Sequence, residues 1–314
     1  MTEIRREEFF YDSRDNMTKI HAVKWIPEGN PICVLQIVHG MAEYALRYDD
    51  VARYLAQKGV LVVASDHLGH GLSKREEAPY GYFCKRDAAT VVVRDVHRLK
   101  KIVQEENLGV PYFILGHSMG SFVTRNYLFR YGKGIDGAMI MGTGNQPGYL
   151  PRAAKMLASI LTIFKGAEHV SPLIDKLSFG DYNKQIENPV TNVDWLSRDK
   201  HQVDRYIEDP LCGFVFTLNG FHTLFDLIIK AEKKSNIEKI PKDLPILFLA
   251  GTADPVGEYG KGVRLAYENM KAAGIKDIDI KLYDGGRHEI LNEIDKEIIY
   301  ADVYKFLKTH IQNS

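Results

Sequence analysis

Ser118 stands in Gly116-His117-Ser118-Met119-Gly120, a G-x-S-x-G pentapeptide. A bare match of this kind is weak, because loops collect glycine and serine; the flanks sharpen it. Before it lies Pro111-Tyr112-Phe113-Ile114-Leu115, a short apolar run that reads as a strand. After it, Val123, Tyr127 and Tyr131 recur at four-residue steps, as one face of a helix does. A strand, tight turn and helix would thrust the Ser118 hydroxyl outward, and a side chain at either glycine would crowd the bend. The alternative is a glycine-rich turn with a surface serine.

A serine hydroxyl is a poor nucleophile at neutral pH and needs a base to take its proton. Asp254, in Gly251-Thr252-Ala253-Asp254-Pro255, follows an apolar run that reads as a strand. His288, in Gly285-Gly286-Arg287-His288-Glu289, follows another. Taken singly, these are a turn aspartate and a loop histidine. Together, in the order serine, acid, histidine and each beyond a strand end, they make a triad in which Asp254 steadies His288 and His288 deprotonates Ser118. The oxyanion formed would need donors, and the backbone N–H groups of Met119 and Met41 are the expected pair. His117 is expected to point away from Ser118. His39, His67 and His70 lie upstream of the serine and read as structural hydrogen-bonding residues.

The elements that must position these residues alternate. Strands are expected at residues 8–11, 20–26, 32–38, 60–64, 112–115, 135–141, 244–250 and 278–283. Helices are expected at residues 49–58, 87–106, 121–131, 262–273 and 296–311. The alternation predicts an α/β fold with a mostly parallel central sheet and helices on both faces. It lapses over residues 146–226, where helices are expected at 150–164 and 195–207. That block reads as an inserted, mainly helical cap, dividing the chain into a first core part (1–145), the cap (146–226) and a second core part (227–314).

Lys+Arg and Asp+Glu both number 41, so no net field recruits nucleic acid. The charged start, Met1 to Glu8, leads into no apolar stretch, so a secretory signal is not expected. No apolar run nears the roughly 20 residues needed to span a bilayer. Cys33, Cys84 and Cys212 are widely spaced and read as reduced thiols, which makes the cytoplasm the expected compartment. Gly69-His70-Gly71 and Gly142-Thr143-Gly144 lack the third glycine of a dinucleotide loop, and neither a phosphate-loop pattern nor H-E-x-x-H occurs. No cofactor and no metal are expected.

With these motifs in place the chain resembles the α/β-hydrolase family, and more closely its monoacylglycerol lipase and lysophospholipase branch, with a serine aminopeptidase-type hydrolase domain. The resemblance rests on His39-Gly40-Met41-Ala42-Glu43-Tyr44-Ala45-Leu46-Arg47-Tyr48, on Asp66-His67-Leu68-Gly69-His70-Gly71-Leu72-Ser73, on the G-H-S-M-G pentapeptide and on His288-Glu289-Ile290-Leu291-Asn292-Glu293. It implies that His39, Gly40, Glu43 and Arg47 support the oxyanion loop and the pocket edge; otherwise Glu43 and Arg47 are an ordinary surface ion pair. Tyr44 stands where the branch usually has histidine, which bears on the alcohol-binding end.

The resulting expectation is a serine hydrolase cleaving carboxylic esters of lipid-like substrates, of monoacylglycerol or lysophospholipid type. Leu150, Met156, Leu157, Ile160, Phe164, Phe214, Phe216 and Phe221 either line an acyl channel or form the cap's own core. An apolar cap helix also suits peripheral contact with a membrane or micelle. A short-chain carboxylesterase is an alternative. So is an aminopeptidase or amidase, for which Glu168, Asp175, Glu187 and Asp194 are available without a spacing that singles out a pair. A hydrolase-fold binding protein is the non-enzymatic reading. The sequence does not specify an oligomeric state.

Overall fold

The structure, a computed structural model, describes residues 4–311. The first three residues, part of the charged start, lie outside them.

The chain runs β1 (Arg5–Asp12), β2 (Lys19–Ile26), β3 (Cys33–Val38), α1 (Asp49–Ala56), β4 (Val60–Ser65), α2 (Ala88–Glu106), β5 (Tyr112–His117), α3 (Met119–Tyr131) and β6 (Gly137–Met141). Then follow α4 (Tyr149–Lys165), α5 (Pro172–Phe179), α6 (Lys200–Glu208), α7 (Leu218–Glu232) and α8 (Lys234–Ile237). The chain closes with β7 (Ile246–Gly251), α9 (Lys261–Ala272), β8 (Ile278–Tyr283) and α10 (Lys296–Ile311). The eight strands form one sheet in the order β1-β2-β4-β3-β5-β6-β7-β8. Strand β2 is antiparallel to both its neighbours, and every pairing from β4 to β8 is parallel. This is the expected mostly parallel α/β sheet.

Strands β3 to β6 are buried along their whole length because helices cover both faces. Successive side chains alternate between two cores. Val34 and Val38, with Tyr112 and Ile114, face a core shared with α2, α3, α7 and α9. Leu35 and Ile37, with Phe113 and Leu115, face a core shared with α1 and α10. All of Met119–Leu128 in α3 is buried. The four-step pattern suggested one buried face; α7 packs over the remaining side.

Between β6 and β7 the chain forms α4 to α8. The boundary expected at 226 falls inside α7, which packs on α3, α2 and α4. The helix expected over 195–207 is shorter. Residues Asp194–Leu196 form a 3₁₀ turn, and α6 starts only at Lys200, where the Asp199 carboxylate caps His201 N–H at 3.0 Å. The backbone in between is engaged by the loop that carries His288.

Candidate active site

The sheet brings Ser118, Asp254 and His288 to one edge, beyond the carboxyl ends of β5, β7 and β8, where open α/β sheets place their sites. Ser118 sits at φ 54°, ψ −121°, between the last residue of β5 and the first of α3. A non-glycine residue with positive φ is strained, and such strain collects at functional turns. The flanking glycines are required by contact. A Cβ on Gly116 would overlap Thr124 Oγ1 and the Gly120 carbonyl, and one on Gly120 would overlap the carbonyl oxygens of Val38 and His39.

Asp254 is fully buried, and one of its oxygens accepts Val256 N–H at 2.9 Å. His288 Nδ1 lies 3.0 Å from both carboxylate oxygens. A carboxylate only accepts, so Nδ1 carries the proton and donates, leaving Nε2 as the basic nitrogen. Ser118 and His288 line the same cavity of about 430 Å³, within the usual range for a small-molecule site.

The early loop closes the other side. A Cβ on Gly40 would lie 3.0 Å from Ser118 Cβ, which measures how closely this loop approaches the serine. Gly40 N–H donates to Glu43 Oε1 at 2.6 Å. Met41 and Met119 both line the cavity beside Ser118. Among the described residues, no hydrogen bond within the protein takes up either backbone N–H. His39 accepts His67 N–H on Nε2 at 2.9 Å and donates from Nδ1 to the Gly40 carbonyl at 2.8 Å. The imidazole thus fixes the peptide just before Met41.

Glu43 and Arg47 are not a surface pair. Arg47 donates to Glu43 at 3.0 Å and to Glu289 at 2.6 and 2.7 Å, both carboxylates being buried and the arginine nearly so. Tyr48 O–H donates to Glu43 at 2.9 Å, and the Arg47 guanidinium lies 4.8 Å from the Tyr206 ring. Burial alone would raise the Glu43 carboxyl, but the hydrogen bond with His117 and the Arg47 charge outweigh it and hold Glu43 far below the usual range. For His117, burial pulls down, yet Glu43 pulls harder, and the imidazole is raised. His117 spans Glu43 Oε1 at 3.2 Å and the His288 carbonyl at 3.3 Å, with its ring 4.9 Å from that of His288.

Sequence reasoning left several neighbours without a role. Glu289 and Tyr48 lie inside the quoted motifs but could not be given partners. Trp195, with its ring 5.1 Å from His288, and Tyr206 gave no signal. The apolar cap residues divide differently from either expectation. Only Phe214 of the eight lines the cavity. Phe216 and Phe221 are core, Leu157 is half-buried, and Leu150, Met156, Ile160 and Phe164 are exposed on α4. Phe122, Phe179, Leu224 and Ile228 supply apolar lining instead. Tyr44 does not line the cavity; its hydroxyl donates to Asp209 at 2.7 Å and ties the early loop to the end of α6. Of the four acidic candidates only Asp175 lines the cavity. Among the described residues there is no cluster of histidine, cysteine and carboxylate groups able to hold a metal.

An eight-stranded, mostly parallel sheet with a serine at a strained strand–helix turn and a paired histidine and aspartate opposite defines an α/β-hydrolase. The family model described as serine aminopeptidase, S33, matches residues 29–295, and the chain belongs to this family of α/β-hydrolases. It is 30% identical to the human protein named monoglyceride lipase, over 86% of this chain and 80% of that one. It is 29% identical to a monkeypox virus monoglyceride lipase homolog, over 94% of both. A thermostable carboxyl esterase from Bacillus coagulans, solved in complex with glycerol, superimposes with a TM-score of 0.90 at 28% identity, covering 98% of this chain and all of that one. The chain is an α/β-hydrolase of the esterase and lipase kind.

Proposed function

We propose that the protein hydrolyses carboxylic esters of lipid-like acyl chains, monoacylglycerols or lysophospholipids, through an acyl-enzyme on Ser118. The observation that carries this reading is the pairing of His288 Nδ1 with both oxygens of Asp254, in a cavity shared with Ser118. Nε2 of His288 takes the Ser118 proton as the hydroxyl attacks the ester carbonyl. The Met41 and Met119 N–H groups receive the developing oxyanion, each such donor being worth about 3 kcal/mol of barrier. The imidazolium, steadied by Asp254, gives its proton to the leaving alcohol. Water activated by the same nitrogen then releases the acid. His39, Gly40, Glu43 and Arg47 hold the oxyanion loop in place.

The apolar wall formed by Phe122, Phe179, Leu224 and Ile228 supports an acyl chain as the occupant. The resemblance to monoglyceride lipases, and to an esterase that binds glycerol, supports a glycerol ester. Exposed apolar residues on α4 and α5 support contact with a lipid surface.

The test is a rate panel on purified protein with a medium-chain monoacylglycerol, a lysophospholipid, a short p-nitrophenyl ester and an aminoacyl arylamide. Ser118→Ala should abolish ester hydrolysis with little change in Tm. Asp254→Asn should cost about 10⁴-fold in kcat, as a wrong histidine tautomer does elsewhere. Arylamide cleavage in place of ester cleavage would overturn the lipid reading and turn attention to Asp175 in the cavity wall.

A further inference from the structure

The His288-Glu289-x-x-Asn292-Glu293 motif ends in a carboxylate for which the hydrolytic reading has no use. Glu293 is only 1% exposed, yet it is not paired with the Arg47 network around its neighbour Glu289. Its two oxygens accept four N–H groups. Oε1 takes the backbone N–H of Arg287 at 2.9 Å and of Arg198 at 3.1 Å. Oε2 takes Arg198 Nε at 2.8 Å and its own neighbour Ile294 N–H at 3.1 Å. Arg287 immediately precedes His288. Arg198 comes about 90 residues earlier, from the segment between β6 and β7.

The two stretches are laced together around this carboxylate. His288 N–H donates to the Trp195 carbonyl at 3.3 Å and Glu289 N–H to the Leu196 carbonyl at 2.7 Å. Ser197 Oγ donates to the Asn292 carbonyl at 2.8 Å. The Arg287 guanidinium returns the contact, reaching the carbonyls of Asp194 at 2.7 Å and Ser197 at 2.9 Å. Arg198 Nη2 meets Asp295 at 3.0 Å.

Asp254 fixes the His288 ring through Nδ1 but does not touch its backbone. The backbone that carries the histidine leaves β8 through Gly285, at φ +65°, and Gly286, which are held by Thr252 Oγ1 at 2.8 Å and Ala253 N–H at 2.9 Å. Beyond the histidine, its carbonyl meets His117 and Glu289 meets Arg47, which leaves the Arg287–His288 peptide between these anchors to be held by other groups. A buried carboxylate accepting backbone donors is a strong and directional clamp, because charged acceptors make the shorter and stronger hydrogen bonds. We propose that Glu293 is the positioning residue of the base: its carboxylate clamps the Arg287–His288 backbone onto the 194–198 segment, so that His288 is aligned with Ser118 only while that segment is seated. The same clamp delivers Trp195 to the His288 ring. One consequence is that the part of the cap bearing Trp195 moves with the base or not at all. This rests on the reading of Ser118, His288 and Asp254 as the triad.

The experiment compares wild type, Glu293→Gln, Arg198→Gln and Ser118→Ala as purified full chains. The substrate is a soluble p-nitrophenyl ester, with labelling by a fluorophosphonate as a second readout. The amide of Glu293→Gln keeps the volume but turns an NH₂ toward N–H groups it cannot satisfy. Misplacing a reacting group by about 1 Å costs about 10²-fold. Glu293→Gln should therefore lose about that factor in kcat with KM little changed, lose labelling rate in parallel, and shift the acid limb of its pH profile for kcat/KM. Arg198→Gln, which removes only the cap-side guanidinium, should show a smaller loss of the same pattern. Wild-type kcat, labelling rate and pH profile in Glu293→Gln, with only a lower Tm, would make Glu293 merely structural and overturn the inference. If Glu293→Gln fails to fold, Arg198→Gln decides: unchanged kcat and pH profile overturn the inference, and reduced kcat at constant KM supports it. Hydrolysis surviving in Ser118→Ala would bring down the triad reading and the inference with it. An inactive Ser118→Ala beside a normal Glu293→Gln would remove the inference alone.

Discussion

Arg47 grips Glu289 through two parallel bonds, Nη1 to Oε1 at 2.6 Å and Nη2 to Oε2 at 2.7 Å, and shares Nη1 with Glu43 Oε2 at 3.0 Å. Glu289 is the residue after His288, and Glu43 accepts the N–H of Gly40. One guanidinium therefore joins the loop that carries His288 to the loop that carries Gly40 and Met41 beside Ser118. The forked geometry matters, since lysine offers a point charge where arginine offers a planar pair of donors.

Removing that guanidinium leaves two carboxylates buried without their cation. Breaking a buried pair in this way costs about 3–5 kcal/mol. Arg47→Ala should lower the free energy of unfolding by that much, read as a lower denaturant midpoint at unchanged m. Arg47→Lys should recover only part of the loss, because it cannot serve Glu289 in two places. A lysine variant as stable as wild type would show that charge alone, and not the fork, holds the loops.

The turn at Ser118 has no room for a methyl group. Gly120→Ala would drive a Cβ into the carbonyl oxygens of Val38 and His39, at the end of the strand that leads into the Gly40–Met41 loop. Gly120 is in the first turn of α3, where helix propensity would favour alanine, so any loss is steric. The variant should lose at least about 3 kcal/mol of stability, or fail to accumulate, as overpacking against rigid backbone does. Thermal melts showing a Tm within a degree or two of wild type would mean the bend relaxes easily.

The parts of this molecule legible in its sequence are those whose signal is local. Residues 278–283 and 296–311 carry complete periodic patterns, and both elements form with those bounds. Ser118, Asp254 and His288 each follow a readable strand, and the sheet order brings those strand ends together. Helix α4 was legible as a helix but not in its orientation: Leu150, Met156, Leu157, Ile160, Ile163 and Phe164 fall on one stripe at helical spacing, which reads as a buried face, yet nearly all of that stripe is exposed and Pro151 and Ala158 turn inward instead. The extended stretch before α6 was not legible, because the partners of its backbone lie about 90 residues away. The Arg47–Glu289 fork and the Glu293 clamp were hidden for the same reason: a side-chain bond across the fold leaves no trace in spacing.

Acid should weaken the fold through a stack of neutral histidines. His39, His67 and His70 are buried, with ring centroids 4.1 to 6.1 Å apart. Burial, then the neighbouring imidazoles, pushes His39 well down and His67 to about 3; burial takes His70 to about 4. The unfolded chain takes up these protons near pH 6.5. Stability from the stack is thus complete above about pH 6.5 and is lost as pH falls toward 4, by at most about 1.4 kcal/mol per unit for each histidine. His21 and His117 are raised, so their contribution runs the opposite way, present below pH 6.5 and lost as pH rises through their folded values. Among the described residues His70 Nε2 has no hydrogen-bond partner, and the ring packs among Phe83, Phe214 and Phe216. His70→Phe should lower stability at neutral pH, because it strips a donor from the Leu68 carbonyl, yet flatten the decline of Tm between pH 6.5 and 4.5. An identical slope in the variant would show that His70 is not among the groups that take up protons on unfolding.

The outer face of α4 predicts how the protein handles dispersed substrate. Ile163 and Phe164 are each 80% exposed, Met156 on the same helix is exposed too, and so are Leu173 and Leu177 on α5. None of them lines the cavity beside Ser118. The proposed contact with lipid can therefore be separated from turnover. Burying a large apolar side chain is worth about 1.5–3 kcal/mol, so replacing Ile163 and Phe164 together by serine should weaken partitioning to phospholipid vesicles by roughly two to four orders of magnitude. Co-sedimentation with vesicles measures that loss directly. Hydrolysis of a monoacylglycerol embedded in the same vesicles should fall with it, while kcat/KM on a soluble short ester stays at the wild-type value. Equal losses on both substrates would place these residues in the turnover cycle and not at a lipid contact, and unchanged rates on both would mean this face does not meet lipid at all.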